Sequence, residues 1–198
     1  MLRARAISIV IATASLVFFA GAVPAQANVS QGWVAGSGDV SDDFNDEGVT
    51  DINTHRQSIA TGLWQTILWA DGAIESNGTA FDLADIDCDF GPNTQAATRN
   101  WQSTQHIGVD GSAGPQTWGK AGVRNTTDDP AGLVLGDQIE NDQYFVYYFG
   151  KQHLITMIRN GAIGVGSAKY AYISFGGNGS NTVFTSYSAG VCSSSTFV

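Results

Sequence analysis

The sequence predicts an α+β fold, a three-helix unit followed by a small antiparallel β domain, and three observations carry that expectation. Apolar residues recur at helical spacing between Ile59 and Leu68. Two Gly-Pro pairs, Gly91-Pro92 and Gly114-Pro115, stand where each proline can open a helix. Beyond Pro130, short runs rich in β-branched and aromatic residues alternate with glycine-bearing turns.

The chain's arithmetic bounds what these elements can do. It has 198 residues, of which 43% are hydrophobic and 14% charged, enough to bury a core. Its formal net charge is −9, so a nucleic-acid partner is excluded for want of a basic footprint. Residues 1–27 have the layout of a secretory signal peptide: Arg3 and Arg5, an apolar run from Ala6 to Val23, then Pro24-Ala25-Gln26-Ala27. An uncleaved anchor is the alternative, since the run is just long enough to span a bilayer. No other stretch is, so no membrane contact is expected once the signal is removed. Export places Cys88 and Cys192 in an oxidising compartment, where a lone pair is expected to form a disulfide; two separate thiols are the alternative.

Residues 28–55 read as an acidic lead-in rich in Gly, Ser and Asp, solvated and flexible, with Trp33 and Phe44 as points that pin it to a neighbour. The helical unit is expected over 56–124. Its first helix starts near Arg56, where Ile59, Leu63 and Ile67 form one face with Ala60, Trp64 and Leu68, and it ends at Gly72. The second runs from Pro92 to Thr104 and buries Ala97 and Trp101. The third starts at Pro115 and carries Trp118 and Ala121. The β domain occupies 125–198, with strands at 144–149, 154–158, 170–175 and 183–187, and turns at Asn160-Gly161 and 176–179.

One internal repeat stands out. Asp87-Cys88-Asp89-Phe90-Gly91-Pro92-Asn93-Thr94 is echoed by Asp110-Gly111-Ser112-Ala113-Gly114-Pro115-Gln116-Thr117, with Asp, Gly, Pro and Thr in register. Each copy reads as a turn that launches a helix, and structure alone accounts for most of these residues. Together with Trp64-Gln65, Trp101-Gln102 and Trp118, the arrangement resembles the small three-helix peptidoglycan-binding domain found in bacterial cell-wall hydrolases, over about residues 56–122. Two departures stand against the pattern. Cys88 replaces the glycine of the first Asp-Gly pair, and the loop from Ala73 to Ile86 is longer than the family's.

The resemblance implies a secreted bacterial protein, extracellular or attached to the cell wall, whose partner is peptidoglycan or its stem peptides. It implies no catalysis. A matching groove needs an aromatic ring, amide donors and a cation for a carboxylate. The ligand-binding candidates are Asn93 at a helix start, Arg99, Gln102, Gln105 and Trp118, the last also suited to the core.

Other chemistry was sought in the same residues. His55, His106 and His153 are widely spaced, unlike zinc ligands. Cys192 lacks a transpeptidase context, and a disulfide leaves it no nucleophilic role. Asp85 to Asp89 alternates carboxylates as a calcium loop does, but Phe90 and Ala96 stand where glycine and glutamate are required; a solvated acidic turn is preferred. No metal, cofactor or catalytic residue is therefore expected. The rival readings are a wall hydrolase using Asp137, Glu140 or Asp142 in the β domain, and a secreted effector or inhibitor that grips another protein. Tyr144, Tyr147, Tyr148, Tyr170, Tyr172 and Tyr187 form either a sugar-stacking surface or, by alternation, part of the core. Glycosylation acceptor tripeptides begin at Asn28, Asn77, Asn125 and Asn178 and are incidental in a bacterium. Oligomeric state is not legible.

Overall fold

The computed structural model describes residues 32–36, 38–123, 132–161, 168–176, 179–190 and 192. The expected signal peptide, the boundary near residue 125, the acceptors at Asn28, Asn125 and Asn178, and the Tyr172 side chain lie outside the described residues.

Among the described residues three α-helices precede the five main strands of an antiparallel sheet, to which one short strand from ahead of the helices is added. Helix α1 spans Ile59–Asp71. Ser58 caps it by accepting the Thr61 N–H at 3.0 Å, three residues later than Arg56. Gly72 ends it in the left-handed conformation at φ 65°, which a Cβ would disfavour. Helix α2, Pro92–Thr104, and helix α3, Pro115–Gly122, each begin on the proline that follows an extended glycine.

The sheet runs in the order β2 (Gly132–Glu140), β3 (Gln143–Phe149), β4 (Leu154–Asn160), β5 (Ala168–Gly176), with β6 (Gly179–Phe184) beyond β5. A two-residue strand, β1 (Ala35–Gly36), pairs with the start of β5. Strand β2 is absent from the sequence expectation. Its run Leu133-Val134-Leu135 is interrupted by Gly136, and its register with β3 shifts twice, which breaks the alternation that marks a strand. The turn that joins it to β3 is built from Asn141 and Asp142, both at positive φ, with no glycine to signal it.

Alternation elsewhere is regular. Val146, Tyr148, Ile155, Met157, Arg159 and Tyr170 are buried on the inner face. On the other face Phe145, Tyr147 and Phe149 form a half-buried row, with neighbouring ring centroids 6.3 and 6.4 Å apart. The five tyrosines whose side chains are described therefore divide. Tyr148, Tyr170 and Tyr187 are buried, while Tyr144 and Tyr147 are half-buried.

A single buried cluster runs from the helices into the sheet. Trp64 sits edge-on to both Trp101 and Trp118, at 5.1 and 5.3 Å between centroids. Phe44 then bridges Trp118 of α3 (5.5 Å) and Tyr170 of β5 (5.1 Å). A solvated lead-in is thus not what the chain builds. Asp43, Phe44 and Glu47 are all buried, and the Asp43 carboxylate pairs with the Arg159 guanidinium at 2.6 Å. Apolar composition alone misread this segment, because its carboxylates are matched by donors more than a hundred residues away. Trp33 and Phe44 do pin it: Trp33 bridges to Ser186 and lies under the Lys169 ammonium, 3.5 Å from the ring centroid.

Two more ties join helices to sheet. The Asp71 carboxylate, at the end of α1, accepts from Trp101 Nε1 of α2 and from the Tyr148 hydroxyl of β3 (2.8 Å). The Ala70 carbonyl, left open at the end of α1, accepts two N–H groups from Gln152 and His153 in the β3–β4 turn. Cys88 and Cys192 form a disulfide with a sequence separation of 104 residues. No helix among the described residues is long and apolar enough to cross a membrane.

Candidate functional site

The sequence repeat is a repeat of hydrogen bonds. Gln65 of α1 is fully buried, and its Nε2 reaches Asp87 Oδ1 (2.8 Å), the Asp89 carbonyl (3.1 Å) and Thr94 Oγ1 (3.1 Å). Its Oε1 accepts the Cys88 N–H at 2.8 Å. Gln102 of α2, equally buried, does the same one repeat later. Its Nε2 reaches Asp110 Oδ1 (2.8 Å), the Ser112 carbonyl (3.0 Å) and Thr117 Oγ1 (3.0 Å), and its Oε1 accepts the Gly111 N–H at 2.8 Å. Each glutamine thus locks the turn that launches the next helix. A buried amide with both ends satisfied fixes a conformation, because any slip leaves polar groups unpaired.

Backbone geometry repeats too. Gly111 stands at φ 80° and Cys88, its counterpart, at φ 61°. The first turn keeps the glycine conformation while carrying a side chain, as the substitution required. That side chain is the one held by the disulfide. In the second turn Arg99 lies across Gly111: a Cβ there would meet the Arg99 side chain at 2.9 Å.

The five ligand candidates separate on this frame. Gln102 and Trp118 are fully buried, Gln102 in its turn and Trp118 in the tryptophan cluster, so neither presents a side chain to a ligand. Asn93 is half-buried, and its amide donates to Glu75 Oε1 (2.7 Å) and to Asp85 Oδ1 (3.2 Å). Protein carboxylates therefore take the donor that a ligand carboxylate was expected to find. Arg99 is exposed, with one long contact from its guanidinium to the Asp110 carbonyl (3.5 Å), and Gln105 is half-buried. Of the predicted set, Arg99 and Gln105 thus remain with exposed or half-exposed side chains, and the second turn lies beside Arg99.

The long loop from Ala73 to Ile86 supplies an acidic pair that the sequence reading did not single out. Burial pushes the Asp85 carboxyl up to about 6, with Glu75 beside it acting in the same sense. Burial acts to raise Glu75 as well, yet bonds from Asp85, Asn93 and Thr79 hold it below its ordinary value. The remaining acids of the supposed calcium loop are bound to protein partners: Asp87 to Gln65 and the Asp89 N–H, and Asp89 to Arg56. Among the described residues no group of three or more metal-ligating side chains converges.

Asp137, Glu140 and Asp142 lie exposed at the β2–β3 hairpin, open to water. Asn77, in one of the acceptor tripeptides, is exposed in a turn, with its side-chain oxygen accepting from the Thr79 N–H at 2.8 Å.

Fold and site together define a helical unit built on two glutamine-locked turn-helix joints, welded to an antiparallel sheet. Residues 76–120 of it match the family model of the peptidoglycan-binding domain. That match takes in both turns, α2 and most of α3, while α1 is joined to it by the Gln65 network. No curated protein and no solved structure matches the chain.

Proposed function

We propose that the protein is a secreted, noncatalytic binder of bacterial peptidoglycan that uses its helical unit to hold the sheet at the cell wall. The observation that carries this reading is the family match over residues 76–120, which falls on the twin glutamine-locked joints. Arg99 offers the exposed cation of α2 to a stem-peptide carboxylate, and half-buried Gln105 stands at the C-terminal end of the same helix. The sheet is tied to the helices through Asp71, Phe44 and the disulfide, so whatever the helices grip, the sheet accompanies.

Sedimentation with purified insoluble peptidoglycan tests the reading. The full chain is expected in the pellet, released by added soluble wall fragments, with no loss of turbidity in the suspension. A chain that stays in the supernatant at every concentration overturns it, and falling turbidity overturns its noncatalytic part.

A further inference from the structure

Glu47 is a buried carboxyl whose hydrogen-bond partners are a backbone N–H and a phenol rather than a cation. Its Oε1 accepts the Ala35 N–H of β1 at 2.6 Å, and its Oε2 lies 2.6 Å from the Tyr187 hydroxyl. That hydroxyl accepts the Gly48 N–H at 3.0 Å. The charged and titratable groups around it are few. Asp46 and Asp43 stand on its own turn and oppose a negative charge there. Arg159 of β4 is engaged by Asp43, at 2.6 Å from its Nε. Lys169 of β5 is paired in register with Ala35, but its ammonium sits over Trp33. Tyr187 comes from the C-terminal side, and the His55 ring is tilted against it with centroids 5.0 Å apart. Ionised, Glu47 would be a buried negative charge beside two others.

The segment it holds is the joint of the molecule. Val34 donates to the Thr185 carbonyl and accepts from Tyr170, so β1 is sewn between β5 and the C-terminal segment. A few residues on, Phe44 fills the gap between α3 and β5.

We propose that Glu47 is a proton-operated latch: protonated, it clasps β1 and Tyr187 together across the joint between helices and sheet, and its ionisation loosens β1. Burial pushes its carboxyl up to about 8, and burial likewise raises the phenol of Tyr187 well above its ordinary value, so of these two bonded groups it is the acid that titrates nearer neutrality. The folded value lies above the unfolded one. The stabilising contribution is therefore complete below the ordinary glutamate value of 4.5, declines as pH rises, and is gone above about 8.

Amide hydrogen exchange on the full chain, corrected for intrinsic rates, tests this. Protection of the Val34 and Ala35 amides is expected to fall by up to roughly tenfold per pH unit between about 5 and 8 and then to level off. Helix α2 amides such as those of Ala97 and Trp101 should not follow. In Glu47→Gln, which stays neutral, protection at Val34 and Ala35 should be independent of pH. An equal slope in the variant, or a loss of protection shared with α2, overturns the latch. Direct NMR titration of the Glu47 carboxyl in the unaltered chain is independent of whether the variant folds. A midpoint in the ordinary glutamate range overturns the proposal, and one raised by two units or more supports it.

Discussion

Reduction of the Cys88–Cys192 bridge is the perturbation whose size follows most directly from the structure. The crosslink spans 104 residues of sequence, and closing a loop of that length in the unfolded chain is worth roughly 4–5 kcal/mol in the chain-entropy model. The folded side contributes a second effect. Cys88 occupies the left-handed region at φ 61°, where a Cβ costs roughly 1–2 kcal/mol, and its N–H and the Gln65 network hold it there whether or not the sulfurs are joined. Urea denaturation followed by tryptophan fluorescence reads both, since Trp64, Trp101 and Trp118 share one buried cluster. Reductant should lower the unfolding free energy by roughly 4–5 kcal/mol. In the reduced background Cys88→Gly should be neutral or stabilising by up to about 1 kcal/mol, because glycine relieves the strain but loosens the unfolded chain. A reductive loss below about 1 kcal/mol would refute the first half. A reduced Cys88→Gly chain clearly less stable than reduced wild type would refute the second.

Three further outcomes follow from buried polar groups. Gln102→Leu leaves the Gly111 N–H and the Asp110 and Thr117 side chains without their shared partner and should cost roughly 3 kcal/mol by urea denaturation, with Gln65→Leu similar. Asp43→Ala takes the carboxylate away from the buried Arg159 guanidinium and should cost roughly 3–5 kcal/mol, whereas a small effect would mean that water reaches the guanidinium. Asp85 is held up to about 6, so its contribution is complete below the ordinary aspartate value and lost as pH rises through 6. Melting temperature measured across pH 4–7 should therefore lose part of its slope in Asp85→Asn; an unchanged slope would contradict the raised Asp85 carboxyl.

The helices were the legible part of this chain because their signals are local. Pro92 and Pro115 start α2 and α3 where expected, and Gly72 ends α1. Strand β2 was illegible because Gly136 and two register shifts erase its period, and β1 because two residues have none. Asp43 and Glu47 read as solvated since their partners, Arg159, Tyr170 and Tyr187, lie at the far end of the sequence. Within the site, the sequence does carry a signal for the inward-facing glutamine. Trp64-Gln65 and Trp101-Gln102 are the same dipeptide ahead of the two repeated turns, which points to one structural role rather than to a ligand contact at Gln102. The Glu75–Asp85 pair, by contrast, is made by a loop folding back over α2, which no local pattern announces.

The central claim is that the face of α2 and the second turn meet the wall polymer. Amide chemical-shift mapping with soluble disaccharide-peptide fragments of peptidoglycan tests it most directly. The account predicts perturbations concentrated at Arg99, Gln105 and Gly111, largely abolished in Arg99→Ala, with the Gln102 turn still folded. Shifts confined to the Phe145, Tyr147 and Phe149 face of the sheet, or none at saturating fragment, would contradict it.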